Sequence, residues 1–206
     1  MNVKLSKFKR KHIISIILFS LILGFILYVL APFPKKAGTP GEYPPIYYIT
    51  KINKFEQQPP NQCAAYTTAY VLRSFGQEVT GEEIYKRMSF KIPISGYILP
   101  KGIITFMKTY GLKSEIYKGN LSNLKSKVAE GNPVIVLIGK GLYWQHYMTL
   151  VGYNDDKKEL YFYDSKRTKD ENNSIVGNRS MAEEYFMELW ENGLPIFNRV
   201  YISVSK

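Results

Sequence analysis

The chain contains one cysteine, Cys63, and its only histidine outside the first twelve residues is His146. A thiol and an imidazole form an activated nucleophile when the imidazole can take the thiol proton. Cys63 precedes an apolar stripe at helical spacing that ends at Gly76, which predicts a helix beginning at the cysteine. A helix N-terminus favours negative charge and lowers the pKa of a thiol below its free value of about 8.5. The pair indicates a cysteine nucleophile; the alternative is a small buried thiol and a core histidine.

A third group is needed to orient the imidazole, and Asp164 is the candidate. It follows the segment ELYFY, predicted to be a strand antiparallel to the strand that begins at His146, with NDDKK as the turn between them. Both side chains would then lie near one end of the sheet. Asp155 and Asp156 lie in that turn, at the opposite end, where aspartate commonly stabilises turns. Asp164 could also simply cap the following loop.

Acyl transfer also requires hydrogen-bond donors for the developing oxyanion. A backbone N–H group at the helix start near Cys63 can provide one donor. An amide side chain from the preceding loop can provide another, and Gln57, Gln58 and Gln62 are the candidates. The residues alone do not choose among the three.

Other chemistries find little support in the sequence. A zinc site needs three or four ligands, and one cysteine with one histidine outside the tail leaves only scattered carboxylates. The pair Gly139 and Gly141 lacks the context of a phosphate-binding loop. We therefore predict neither a metal nor a cofactor. The loop GKGLYWQ is instead expected to shape a cleft beside His146, with Trp144 as a wall or as part of the core.

Residues 13–31 form a stretch of 19 residues without a charge, long enough to cross a bilayer as a helix. The preceding residues 1–12 carry five Lys/Arg and no acid, which predicts a cytoplasmic N-terminus and an extracytoplasmic domain after the span. A cleaved signal peptide ending at Ala31 is the alternative, but the apolar region is longer than such peptides usually have. We therefore expect a single-pass signal-anchor at the cell membrane.

The formal charge of +11 does not indicate nucleic-acid binding. Five basic residues lie in the tail and two are Lys35 and Lys36, which leaves 21 Lys/Arg against 17 Asp/Glu elsewhere. That balance is ordinary for a globular domain, so no nucleic-acid partner is predicted. A single cysteine also excludes an internal disulfide, so packing alone must stabilise the domain.

The remaining chain divides into a proline-rich stalk over residues 32–45 and one domain over residues 46–206. Helix signals dominate its first half, including a capping box from Thr80 and a proline at the first turn from Pro100. Strand-forming runs dominate after Pro133. A second capping box from Ser180 predicts a late helix through Trp190 or Glu191. The pattern predicts an α+β domain with a cleft between a helical half and an antiparallel sheet.

These motifs together resemble the bacteriocin-processing double-glycine leader peptidases and their stand-alone relatives. The shared features are a glutamine six positions before a cysteine that opens a helix, a Phe-Gly pair after that helix, the pattern His-Tyr-x-x-Leu-Val-Gly-Tyr, a strand ending in aspartate and the segment SMAEEYFMELWENG. The resemblance spans residues 46–206 and implies a papain-like fold. It implies that Cys63 is the nucleophile, His146 the general base and acid, Asp164 its orienting partner and Gln57 the oxyanion donor.

Two features depart from that family. Many members have glycine after the cysteine, where this chain has Ala64, and the transporter-fused members carry an ATPase and several membrane spans that this chain lacks.

The expected function is a membrane-anchored, extracytoplasmic cysteine peptidase acting on a peptide or protein substrate. The alternatives are a catalytically silent binding or scaffold module, and an acyl or peptidyl transferase using the same residues. Neither the substrate nor the oligomeric state leaves a mark in the sequence.

Overall fold

A computed structural model describes residues 7–50, 53–167 and 177–206. Its contacts divide the chain into two units, Met1–Pro32 and Phe33–Lys206. The first unit contains helix α1, Lys7–Leu30. Within the described ranges, its segment Lys11–Leu30 is the one helical stretch long and apolar enough to cross a membrane, a property that signal sequences share.

The second unit contains a mixed sheet whose central strands are antiparallel. The order of the strands is β1-β3-β8-β4-β5-β6-β7, and β2 pairs separately with β5. Among the strands of the described residues, only the short β1 pairs in parallel, with β3. The strands are β1 Lys35–Lys36, β2 Ile46–Tyr48, β3 Lys113–Lys118, β4 Val134–Lys140, β5 Trp144–Asn154, β6 Glu159–Tyr163, β7 Arg179–Ala182 and β8 Val200–Ser205.

The helices begin and end where local sequence signals place them, with one exception. Thr80 forms the predicted capping box, Pro100 occupies the first turn, and Gly76 adopts a positive φ of 87° just after the helix that follows Cys63. Only glycine adopts this left-handed conformation without steric cost. The helices are α2 Cys63–Ser74, α3 Gly81–Arg87, α4 Pro100–Lys108, α5 Leu121–Ala129 and α6 Glu183–Glu191, followed by a 3-10 turn Pro195–Phe197.

The exception is Ser180, and the prediction of a capping box there is wrong. Ser180 lies in β7, paired with Tyr161 of β6, and α6 begins at Glu183 without a side-chain cap. Met181 is buried in the core cluster. Pairing with β6 and burial of Met181 outweigh the local capping signal, because a helix starting at Ser180 would remove both.

The residues predicted as a stalk contact the folded domain. Lys35 and Lys36 pair with the end of β3, and the Lys35 ammonium lies 2.6 Å from the Glu115 carboxylate. Ala37 and Tyr43 pack against the main hydrophobic cluster. This segment thus has fixed contacts with the sheet.

The two central strands β4 and β5 are buried along almost their whole length. Helices α5 and α6 contribute side chains such as Leu124 and Trp190 to the core cluster that contains Val136 and Met148 of these strands. Helix α2 also packs against β5, where the Thr67 hydroxyl donates a hydrogen bond of 3.3 Å to the Tyr147 carbonyl oxygen. This contact fixes the start of α2 against the start of β5.

Candidate active site

Cys63 is the first residue of α2 and its side chain is 2% exposed. Helix α2 is buried from Cys63 to Leu72 because alanine and threonine allow close packing against the sheet and neighbouring helices. The nucleophile candidate thus lies at a helix N-terminus, where unpaired backbone N–H groups favour a negative charge.

His146 and Asp164 form a direct, fully buried pair. The Nε2 atom of His146 lies 2.7 Å from the Oδ1 atom of Asp164, and each side chain is only 1% exposed. The β5–β6 hairpin creates this proximity, since His146 lies near the start of β5 and Asp164 follows the last residue of β6. The hairpin prediction is confirmed in this respect.

The Asp164 carboxylate is held by further donors. The guanidinium of Arg179 lies 2.7 Å from Oδ2, and the Lys166 backbone N–H donates to Oδ1 at 3.0 Å. The Asn178 side chain bridges the Asp164 backbone, accepting from its N–H and donating to its carbonyl oxygen. Burial would raise the pKa of Asp164, but the hydrogen bond and charge of His146, with Arg179 and Lys166, lower it below its usual range.

Cys63 and His146 lie close enough to shift each other's pKa in opposite directions. Burial would raise the pKa of the Cys63 thiol, but His146, the Tyr147 backbone and the Tyr97 hydroxyl together lower it. Burial would lower the pKa of His146, but Asp164 and Cys63 raise it. The surroundings thus favour a thiolate beside an imidazolium, the charge state of an activated cysteine.

The candidate glutamines lie in different surroundings. Gln57 is exposed in the loop before α2. The Gln58 amide oxygen accepts a hydrogen bond of 2.6 Å from the Ser165 hydroxyl, next to Asp164, and its Nε2 donates to Pro59. The Gln62 side-chain oxygen is buried without a hydrogen-bond partner among the described residues. No described contact places the Gln57 amide at the sulfur, so its role stays a prediction.

An apolar cavity of about 360 Å³ lies near the site, although neither Cys63 nor His146 is among its lining residues. Tyr97 and Tyr147 line it, and the Tyr97 hydroxyl lies 3.7 Å from the Cys63 sulfur. Leu142 and Tyr143, which are 88% and 99% exposed, lie at its rim. A cavity of this size holds a small ligand or one large side chain of a longer substrate.

Trp144 covers the imidazole, as the sequence had suggested for a cleft wall. Its ring stacks on that of His146 with centroids 5.9 Å apart, and the Lys166 ammonium lies 5.1 Å from the centroid of the indole. The indole therefore shields the buried His146–Asp164 pair on one side.

The structure brings three of the predicted residues, Cys63, His146 and Asp164, into one cluster. Asp155 lies elsewhere, 2.6 Å from the buried Lys125 ammonium. Sequence reasoning missed Arg179, Asn178 and Tyr97, because no local motif marks a residue that acts through a tertiary contact. No cluster of three or more His, Cys, Asp or Glu suited to a metal occurs in ranges 7–50, 53–167 and 177–206.

A helical half carrying a cysteine, packed on an antiparallel sheet carrying a histidine and an acid, defines the papain-like class of cysteine peptidase folds. The model of the Peptidase_C39 like family matches residues 46–192. The chain therefore belongs to this family and is a cysteine peptidase-like hydrolase. No curated protein matches it.

Solved structures show the same fold at low sequence identity. A C39-like peptidase from Bacillus anthracis is 18% identical with a TM-score of 0.60, covering 81% of this chain and 98% of its own. The peptidase domain of Streptococcus ComA, a bifunctional ABC transporter involved in quorum sensing, is 17% identical with a TM-score of 0.54, covering 75% and 98%. A double-glycine-motif protease from an AMS/PCAT transporter, in complex with its leader peptide, is 18% identical with a TM-score of 0.50, covering 76% and 96%.

Proposed function

We propose that this chain hydrolyses a peptide bond with Cys63 as nucleophile, His146 as general base and acid, and Asp164 as the group that orients the imidazole. The observation that supports this proposal most directly is the 2.7 Å contact between His146 Nε2 and Asp164 Oδ1. It occupies Nε2 and leaves Nδ1 as the nitrogen available to the thiol. That division of the two ring nitrogens is the one a nucleophile–base–acid triad requires.

The chemistry follows from the charge states. The Cys63 thiolate attacks the substrate carbonyl carbon, and the electron pair of the C=O bond moves to the oxygen. When that tetrahedral intermediate collapses, the C–N bond breaks and the His146 imidazolium gives its proton to the leaving amine. Water, deprotonated by His146, then attacks the thioester carbon, and collapse of the second tetrahedral intermediate breaks the C–S bond, which releases the acid and regenerates the Cys63 thiolate beside the His146 imidazolium. Asp164 keeps its negative charge throughout and stabilises the imidazolium.

The oxyanion in this proposal is stabilised by a backbone N–H at the start of α2 and by the Gln57 side chain. The helix N-terminus supports the first donor, because its initial N–H groups have no partner within the helix. Gln57 lies six residues before the cysteine on an exposed loop, and in this proposal its amide turns toward Cys63 when substrate binds. Gln58 is a poorer candidate, since both ends of its amide are already engaged.

The apolar cavity supports a peptide or protein as the substrate. Tyr97, which contacts the sulfur, lines it together with Tyr147 and Leu137, and these residues would bury an apolar side chain of the substrate. A structural neighbour with a TM-score of 0.50 is in complex with a leader peptide.

The direct experiment is cleavage of a diverse peptide mixture by the purified full-length chain in detergent. Mass spectrometry should find new peptide termini that share a residue pattern, and Cys63→Ser should abolish them. A matched control, Ser74→Cys in the Cys63→Ser chain, restores a thiol at the end of α2 and should not restore cleavage. Added amines would test transfer, since adducts in place of free acids would mean that an amine captures the acyl group. If the wild-type chain cleaves nothing while its thiol is reactive, the scaffold alternative holds.

We further propose that α1 anchors the chain in the cell membrane with residues 1–12 in the cytoplasm. Segment Lys11–Leu30 supports the span by length and composition, and the basic tail supports the orientation. Fractionation of cells should find the full-length chain with membranes, and external protease should degrade the domain in intact cells. A released form lacking residues 1–31 would instead establish a cleaved signal peptide.

A further inference from the structure

The Tyr97 side chain makes a hydrogen-bond contact with the Cys63 sulfur and does not belong to the proposed triad. Its hydroxyl oxygen lies 3.7 Å from the sulfur. In the neutral state the thiol S–H donates to this oxygen. A thiolate has no proton to donate, so after ionisation the Tyr97 O–H must become the donor. The contact is therefore suited to the charged form of the nucleophile.

The loop that carries Tyr97 is held by several contacts. The Tyr97 carbonyl oxygen accepts from the Ile92 N–H at 2.7 Å, and the Tyr85 hydroxyl donates to the Gly96 carbonyl oxygen at 3.1 Å. The next residue, Ile98, is completely buried. The Asn61 amide donates to the Ser95 carbonyl oxygen at 3.0 Å, which joins this loop to the segment just before Cys63. These contacts fix the tyrosine relative to the sulfur.

The groups around the sulfur limit Tyr97 to the role of a hydrogen-bond donor. The titratable side chains that face Cys63 are those of His146, Tyr97 and Tyr147. Burial and the neighbouring Cys63 charge raise the pKa of Tyr97 far above its usual value, so its proton stays in place. His146 is then the group that accepts the thiol proton, and Tyr97 contributes a hydrogen bond without transferring a proton.

We infer that Tyr97 is a further catalytic residue, whose hydroxyl donates a hydrogen bond to the Cys63 thiolate and stabilises it before attack. The catalytic meaning rests on the proposed function, because it assumes that the thiolate attacks a substrate. A hydrogen bond to a charged group contributes more than one between neutral groups. Loss of the hydroxyl should therefore be visible in the ionisation of Cys63.

The test measures the rate of Cys63 alkylation by iodoacetamide against pH in the full-length chain. Because the chain has one cysteine, the modified protein reports one site. Tyr97→Phe should move the midpoint of the profile upward by about one pH unit, so that the rate at a fixed pH below the midpoint falls about tenfold. Tyr97→Met, which also lacks the hydroxyl but fills the space differently, should give a shift in the same direction. Tyr185→Phe, at a half-exposed site on α6, is the matched control and should leave the midpoint unchanged.

An unchanged midpoint in folded Tyr97→Phe would overturn the inference, since Tyr97 would then be only a wall of the cavity. Circular dichroism of each variant identifies any that fail to fold, and either Tyr97 variant suffices for the decision. The alkylation profile does not require turnover. A normal Tyr97 effect with no cleavage of any peptide would therefore refute the proposed function alone, and cleavage with no Tyr97 effect would refute this inference alone.

Discussion

His146 Nε2 and Asp164 Oδ1 lie 2.7 Å apart in a region without solvent exposure. The other ring nitrogen of His146, Nδ1, is buried and has no partner at standard hydrogen-bond geometry among the described residues. The ring nevertheless lies close enough to Cys63 for each group to shift the pKa of the other. Contacts of catalytic groups are commonly long before substrate binds.

The pH dependence of the thiol should show an ion pair. The pKa of Cys63 is lowered, so its thiolate forms below the pH at which a free thiol ionises, about 8.5. The pKa of His146 is raised, so its imidazolium persists above about 6.5. Both charges coexist above the Cys63 value and below the His146 value, and peptide cleavage should be bell-shaped with its maximum in that window. The rate of Cys63 alkylation should rise as pH passes through the lower edge of this window. If the midpoint of that rise equals the midpoint measured for the denatured chain, the ion pair is contradicted.

Asp164→Asn should lower kcat/KM by about 10²–10⁴-fold, because the amide neither stabilises the imidazolium nor fixes the correct tautomer. The pKa of His146 should fall in this variant, since a charge that raises it is lost. The measurement is the pH profile of cleavage of a peptide identified with the wild-type chain. Asp155→Asn, at the opposite end of the same hairpin, is the control and should change kcat/KM only a few-fold. Equal losses in the two variants would argue against a special role for Asp164.

Arg179→Gln should destabilise the folded domain by about 2 kcal/mol at pH 7, because it removes one of the two charged donors 2.7 Å from the buried Asp164 carboxylate and leaves the His146 imidazolium as the other. The folded-state pKa of Asp164 is depressed, so the stability from its charged form is present above about pH 4 and is lost as pH falls through the folded value. The difference between wild type and variant should therefore shrink in acid. Chemical unfolding at pH 7 and in steps down to pH 2 measures both. The control, Arg199→Gln, removes an exposed ion pair with Glu191 whose N–O distance is 3.7 Å. It should lower the free energy of unfolding by less than about 1 kcal/mol.

Tyr143→Ser or Leu142→Ser should weaken substrate binding without unfolding the domain. Both side chains are almost fully exposed at the rim of the cavity, so their loss should change stability by less than about 0.5 kcal/mol. If they contact an apolar part of the peptide, KM should rise several-fold with kcat preserved. Tyr185→Ser on α6 is the control for loss of an exposed aromatic residue. An unchanged KM in both rim variants would remove this rim from the substrate site.

Much of the fold follows from local signals. Thr80 and Pro100 start helices where capping chemistry requires, and the alternating or apolar runs after Pro133 become strands of the central sheet. Ser180 shows the limit of such signals. It carries a good helix-capping pattern, but strand pairing with Tyr161 determines its conformation, and that partner is distant in sequence.

The sequence by itself determined that one thiol, one imidazole outside the tail and a strand-terminal carboxylate were available, and that Cys63 would start a helix. Residue type, capping and periodicity are local properties, so a single chain contains them in full. Only the tertiary structure decided that Arg179 and Asn178 hold Asp164, that Trp144 covers His146 and that Tyr97 reaches the sulfur. Each of these contacts joins segments brought together by the packing of a buried core, and the free energy of that packing depends on all the segments at once.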